Sequence, residues 1–293
     1  MQKPSAVTIA IISLVAGNFL ASLSDVAVKL LEGEVFTFEY VFVRQLMATL
    51  ILAPIYFRHY GSFKGQSLSW KITLLRANLI VIGAACMVVA VTYLPLATAN
   101  AVFYAAPLLM LPVSFMLLAE RPAASKVVAS AIGFIGVLIV LRPSQFHWAA
   151  CFALGTAVTL ALFSVLVRKL PSQHGVVHTL FWTSLFSLPV SGLLALMEWQ
   201  EMSTAQLGWT VLSSVCVLAY NGLSVFAYKK APASQIALSE YTGLVFVTLF
   251  GVMWFDEIPD LITLAGIILI IAPLIPAEHY KKLGRRISPQ AWR

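Results

Sequence analysis

Charged residues are scarce in this sequence. Asp, Glu, Lys and Arg make up 11% of its 293 residues, whereas a soluble domain contains about 25%. Apolar residues make up 60%, and the mean hydropathy is +0.90. This composition excludes an ordinary soluble domain, a disordered chain and a disulfide scaffold. It is typical of a helical membrane protein, whose spans need about 20 apolar residues each.

Cysteine is also scarce, and catalytic motifs are absent. The three cysteines, Cys86, Cys151 and Cys216, lie in separate apolar segments and form no CxxC pair, so we interpret them as small packing residues. The sequence contains no GxSxG, HExxH, Walker or GxGxxG motif. His174 and His178 have helical spacing but no third ligand nearby. The sequence therefore predicts no enzyme activity, no metal site and no cofactor.

Ten apolar segments follow one another, separated by short loops. They predict an all-α integral membrane protein of ten transmembrane helices, embedded almost entirely in the lipid bilayer. The segments cover residues 7–31, 37–57, 70–93, 96–118, 123–141, 148–169, 175–197, 205–228, 233–255 and 261–280.

The positive charges favour one orientation of this bundle. With the N-terminus in the cytoplasm, 15 Lys and Arg residues fall in cytoplasmic segments, and only Arg142 falls in an outer loop. The positive-inside rule therefore predicts that both termini are cytoplasmic. The net charge of +7 follows from this bias, so no nucleic-acid partner is predicted.

The two halves of the chain resemble each other at an offset of 137 residues. Residues 1–142 and 148–280 are therefore predicted to be two five-helix repeats, followed by a basic tail over 281–293. Five spans per repeat require the second repeat to be inverted, which places a substrate site at the repeat interface near the bilayer midplane. The aligned identities are Pro95 with Pro232, Tyr104 with Tyr241, Met116 with Met253, Glu120 with Glu257, and Pro122 with Pro259.

Two features of the spans predict how they bend and pack. Pro107 and Pro112 interrupt the fourth span, whereas the ninth has no internal proline, so we expect the kink to be missing there. Gly133 and Gly136 form part of a small-residue surface in the fifth span. This surface is expected to pack within the chain, and a homodimer is its alternative use.

Polar residues within the spans are the candidates for substrate contact. Asn18, Ser22, Asp25 and Lys29 share one face of the first span. They predict a cavity wall, and an ion pair between Asp25 and Lys29 at the outer interface is the alternative. Arg44 is expected to pair with Asp25, either as part of the site or as scaffold.

Further candidates lie in the other spans. Glu240 is an isolated carboxylate in the ninth span, suited to a coupling proton or a cationic substrate; a protonated packing residue is the alternative. Asn100 and the aromatic residues would suit a planar ligand, and Arg76 is expected to be an interface anchor. The predicted substrate-binding residues are Asn18, Ser22, Asp25, Lys29, Arg44, Asn100, Tyr104, Trp182, Tyr220, Glu240 and Tyr241.

Several short motifs are distributed along nearly the whole chain. Because of these motifs, the sequence resembles the drug/metabolite transporter superfamily, and within it the ten-span group with two EamA domains. The motifs are Ser24-Asp25-Val26-Ala27-Val28-Lys29, Phe38-Glu39 followed by Arg44, Leu75-Arg76, Tyr93-Leu94-Pro95, Ala119-Glu120-Arg121-Pro122, Gly133-Phe134-Ile135-Gly136, Arg142-Pro143, Glu240-Tyr241-Thr242 and Phe255-Asp256-Glu257-Ile258-Pro259.

The resemblance implies a secondary transporter of a small organic metabolite in a bacterial inner membrane. Riboflavin uptake is the preferred interpretation, because the aromatic and hydrogen-bonding faces suit a flat neutral vitamin. The alternatives are S-adenosylmethionine uptake or exchange, which Glu240 would favour, and efflux of an amino-acid-like metabolite or metallophore. A membrane enzyme and a non-transporting scaffold are the other classes. The charged interior without a catalytic set disfavours both.

Overall fold

The computed structural model describes residues 5–31, 33–61, 69–119, 124–141, 147–171, 175–231, 236, 239 and 241–271. All regular secondary structure in these residues is helical. The Glu120-x-Pro122 motif, Arg142, Glu240 and the tail over 281–293 lie outside the described residues. The helices are α1 (Ala6–Lys29), α2 (Thr37–Tyr60), α3 (Trp70–Tyr93), α4 (Leu96–Phe103), α5 (Ala106–Leu118), α6 (Ala124–Leu141), α7 (Ala149–Leu166) with a 3-10 turn (Val167–Lys169), α8 (Val176–Met197), α9 (Thr204–Lys230), α10 (Thr242–Phe255) and α11 (Leu261–Ile271).

Seven helical segments of the described chain are long and apolar enough to cross a membrane. They are α1, α2, α3, the combined run of α4 and α5, α7, α8 and α9. The remaining three predicted spans contain shorter apolar helices at Ser130–Leu141, Thr242–Phe255 and Leu261–Ile271. The chain is therefore a multi-pass helical membrane protein, in which seven of the ten predicted spans are confirmed.

The helices pack mainly across the two halves of the chain. Helix α1 contacts α9 and α10, α3 contacts α7, α2 contacts α8, α5 contacts α7, and α6 contacts α11. The contacts are symmetric when the spans of each half are numbered in order. The first span of one half contacts the third span of the other (α1 with α9, and α7 with α3). It also contacts the fourth span of the other half (α1 with α10, and α7 with α5). The seam between the halves therefore runs along α1 and brings it against the start of α10.

Glycines allow a close helix approach between α6 and α11. A Cβ atom added to Gly136 would lie 2.8 Å from the carbonyl oxygen of Gly266, and one added to Gly266 would lie 2.9 Å from the carbonyl oxygen of Gly136. The neighbouring Gly133 faces the side chain of Leu108 on α5. The small-residue surface thus packs within the chain, as expected, because only hydrogen atoms fit between these backbones.

Candidate functional site

Two interruptions in the helices meet at the seam. The fourth span breaks at Tyr104 and Ala105, between α4 and α5. Tyr241 occupies a turn directly before α10, although residues 236 and 239 are helical. The rings of Tyr104 and Tyr241 lie 5.9 Å apart between centroids, at 43°. The expectation that the ninth span lacks an interruption is therefore wrong, and the two aligned tyrosines are neighbours in space.

Side chains of α1 bind the backbone around the second break. The amide of Asn18 donates hydrogen bonds to the carbonyl oxygen of Ser239 at 2.8 Å and to Oγ1 of Thr242 at 3.0 Å. The hydroxyl of Ser22 donates to the carbonyl oxygen of Gly243 at 3.2 Å. A break frees backbone groups that cannot find water in a bilayer. The two predicted residues therefore stabilise the helix break directly.

Glycine at position 243 leaves room for the close approach of the two breaks. The hydroxyl of Tyr104 occupies the space where a Cβ atom at Gly243 would lie, and Cβ of Asn18 is 3.6 Å from that position. Tyr220 of α9 packs against α1, and its ring lies 3.2 Å from the position that a Cβ atom on Gly17 would occupy. Tyr104 and Asn18 therefore lie together at the breaks, and Tyr220 packs against α1 at Gly17, the residue before Asn18.

Asp25 lies at the next level of α1 and contacts the fourth span. The amide of Asn100 donates to Oδ2 of Asp25 at 2.9 Å and to the carbonyl oxygen of Leu96 at 3.3 Å. Arg44 acts electrostatically on Asp25 and on the hydroxyl of Tyr40. No Asp25–Arg44 contact within 4.0 Å is present among the described ion pairs. The expected direct pair with Arg44 is thus not among the described ion pairs, and Asn100 is the direct partner of Asp25.

A buried hydroxyl network holds the helices beside Arg44. Oγ of Ser213 on α9 lies 2.6 Å from Oγ of Ser24 and 2.7 Å from the hydroxyl of Tyr40. These three side chains are fully or almost fully buried. The network joins α1, α2 and α9, and it fixes the two elements that carry Asp25 and Arg44.

Lys29 forms an ion pair with Glu257, in the loop after α10. Its Nζ also donates to the carbonyl oxygen of Leu94 at 2.7 Å, and Oε2 of Glu257 accepts the backbone N–H of Leu96 at 2.8 Å. The alternative Asp25–Lys29 pair is wrong, because the acidic partner of Lys29 in the described chain belongs to the other repeat. Next to this pair is a cavity of about 490 Å³, whose polar lining includes Thr98, His147, Asp256, Glu257, Asp260 and Thr263.

Trp182 does not join these residues. Its indole N–H donates to the hydroxyl of Tyr56 at 3.3 Å, and Tyr56 stacks on Phe181 at 4.5 Å. Tyr56 lies 12 residues beyond Arg44 on α2, which is about 18 Å along a helix. Trp182 therefore packs α8 against the far end of α2.

Arg76 is not an interface anchor. Its side chain is only 2% exposed, and its guanidinium carbon lies 4.1 Å from the ring centroid of Phe163 on α7. The stacking of a planar cation on an aromatic face favours this buried position, although the Nε and Nη1 atoms of Arg76 have no hydrogen-bond partner in the described chain.

Glu257 is the main residue that sequence reasoning missed as part of the site. The Glu-x-Pro match between the halves was a signal for it, but its position after an apolar span indicated a loop. Glu240 lies outside the described residues, so its role remains a prediction.

Both halves of the chain are similar to known proteins. A model of the EamA-like transporter family matches residues 8–142 and again residues 147–275. The S-adenosylmethionine uptake transporter of Rickettsia prowazekii is 26% identical over 255 residues, covering 86% of each chain. The pseudopaline exporter of Pseudomonas aeruginosa is 25% identical and covers 92% of this chain and 95% of the relative. The riboflavin transporter of Vibrio cholerae is 28% identical and covers 83% and 84%.

Proposed function

We propose, from the premise that this chain belongs to the EamA-like transporter family, that it is a secondary transporter of a small, amino-acid-bearing metabolite in a bacterial inner membrane. Both termini are cytoplasmic in this proposal, because the basic residues concentrate on that side. The two repeats are inverted and rock against each other in alternating access. The symmetric set of contacts between the halves supports this arrangement.

The proposed substrate site lies where the two helix breaks meet α1. Interrupted helices at a repeat interface are where secondary transporters bind their substrates, because the break leaves polar groups facing a cavity. Tyr104, Tyr241 and Asn100 would contact the substrate there. Asn18 and Ser22 hold the break, and Glu240, if it faces the cavity, would add a negative charge.

One observation carries the choice of substrate. Asp25 of α1 and Arg44 of α2 carry opposite charges in the same region of the bundle, no ion pair within 4.0 Å joins them in the described chain, and both residues are partly exposed. In this proposal a zwitterion bridges the two opposite charges, its ammonium binding Asp25 and its carboxylate binding Arg44. S-adenosylmethionine has such an amino-acid group and an additional sulfonium charge, so we propose it ahead of riboflavin, which is neutral.

Transport into proteoliposomes tests this proposal. We expect uptake of radiolabelled S-adenosylmethionine that is inhibited by S-adenosylhomocysteine, which keeps the amino-acid group, and not by adenosine or riboflavin. Loading the substrate on either side of the membrane separates uptake from efflux, and counterflow detects exchange.

Two arginines of α2 provide a matched pair of variants. Arg44→Gln should abolish most uptake, whereas Arg58→Gln should not, because Arg58 is exposed at the end of the helix. Transport of riboflavin without transport of S-adenosylmethionine, or full activity of Arg44→Gln, would contradict the proposed substrate class.

A further inference from the structure

We propose that the Lys29–Glu257 ion pair is the outer gate of the transporter and that it separates in every transport cycle. This inference rests on the transport function proposed above. It adds to the substrate site two residues that control access and do not themselves bind substrate.

The ion pair joins parts of the chain that must move relative to each other. Lys29 belongs to the first family match and Glu257 to the second. The same two side chains also hold the backbone of Leu94 and Leu96, on either side of Pro95. These contacts connect three segments from the two repeats: the end of α1, residues 94–96 and the loop after α10. The repeats cannot separate at this end while the ion pair is intact.

The pair stands between the cavity and the substrate site. On one side, Leu94, Ala97 and Glu257 line the cavity of about 490 Å³. On the other side, Asn100 lies one turn, about 6 Å, beyond Leu96. Its amide contacts both the Leu96 carbonyl and Asp25. Opening the pair would connect the cavity with the side chains that we assign to the substrate.

The environment of the pair suits a contact that breaks and re-forms. The side chains of Lys29 and Glu257 are 12% and 19% exposed, so water from the cavity can replace each partner. A fully buried pair would leave an uncompensated charge on opening, whereas a partly exposed one is screened and costs less to separate. The backbone groups of Leu94 and Leu96 can be hydrated in the same way.

Chemical labelling of a buried position tests the gate without any substrate. Ala101 is buried one helical turn beyond Ala97, a residue of α4 that lines the cavity, and Ala101→Cys is placed in a background whose three cysteines are replaced by serine. The rate of reaction with a membrane-impermeant maleimide is measured in right-side-out and inside-out vesicles. Glu257→Gln keeps an acceptor for the Leu96 N–H, and Lys29→Met keeps the side-chain length. Each should raise labelling from the outside about threefold or more.

Asp256→Asn is the matched control. Asp256 neighbours Glu257 and lines the same cavity, but it is not part of the ion pair. Its backbone is left-handed, with φ 54°, which asparagine tolerates. This variant should label at the rate of the parent protein.

Several outcomes would overturn the gate. Unchanged labelling in both neutral variants would do so, as would an equal rise in Asp256→Asn. An increase confined to inside-out vesicles would assign this end to the cytoplasm. Failure of both neutral variants to fold would make the pair a static brace. Absence of S-adenosylmethionine uptake would instead refute the substrate and leave the labelling result intact.

Discussion

Adding one methyl group at Gly243 should disrupt the meeting point of the two helix breaks. In Gly243→Ala the new Cβ would overlap the hydroxyl of Tyr104 and come within 3.6 Å of Cβ of Asn18. The hydroxyl end of the Tyr104 side chain must move away, which disturbs the contact between the two breaks.

Two opposing contributions determine how much Gly243→Ala changes the free energy of unfolding. Overpacking of a fitted contact costs about 1–3 kcal/mol, whereas replacing glycine by alanine in a helix gains about 0.5–1 kcal/mol. We therefore expect Gly243→Ala to lower the free energy of unfolding by about 0–2.5 kcal/mol, with a central value of about 1 kcal/mol. Gly222→Ala is the control, because nothing lies within 4 Å of its added Cβ. It should be stabilised by about 0.5–1 kcal/mol.

Thermal unfolding of the detergent-solubilised proteins, followed by size-exclusion chromatography, measures this difference. Substrate KM should rise in Gly243→Ala and stay unchanged in Gly222→Ala, because only the former displaces Tyr104. Tyr104→Phe removes the overlapping hydroxyl, so the double variant should recover part of the lost stability relative to the sum of the single effects. Equal stability and equal KM in the two alanine variants would refute the close approach of the breaks.

Three further predictions concern individual side chains. Asp25→Asn should raise KM for S-adenosylmethionine about tenfold or more, since a hydrogen bond to a charged group is weakened; uptake kinetics measure this. Trp182→Phe should lower thermal stability, because the indole bond to Tyr56 is lost, and an altered KM would contradict its packing role. Glu240→Gln should insert normally but lose most uptake, and wild-type response to a proton gradient would remove Glu240 from the mechanism.

Much of the architecture was predictable from the sequence, because the bilayer restricts the possible structures severely. Long apolar segments predict helices whatever their neighbours are, and seven of the predicted spans are confirmed. The weak identity between the halves also predicted that Tyr104 and Tyr241 are equivalent, and the two rings meet. Periodicity succeeds here because it depends on the local sequence alone, whereas the repeat match compares two segments 137 residues apart.

The break before α10 was not predictable in this way. The fourth span carries Pro107, which stands in the first turn of α5, and proline is a visible signal in a sequence. The ninth span breaks at Tyr241 with no proline, and its freed backbone groups are satisfied by Asn18 and Ser22 from the other end of the chain. A break held by tertiary hydrogen bonds leaves no local trace. The partner of Lys29 was missed for the same reason, since Glu257 is distant in sequence.

The four polar residues on this face of α1 therefore have different roles, and they do not form a uniform cavity wall. Asn18 and Ser22 donate hydrogen bonds to backbone carbonyl groups at the break before α10, and Lys29 forms an ion pair with Glu257. Asp25 forms no ion pair in the described chain, and its direct partner is the neutral amide of Asn100, so its carboxyl group can pair with a cationic group of a ligand. Because three of the four residues fix the two repeats against each other, replacing them should alter conformation and access. Replacing Asp25 should alter affinity, and comparing conformational labelling with KM across the four positions would reveal this division.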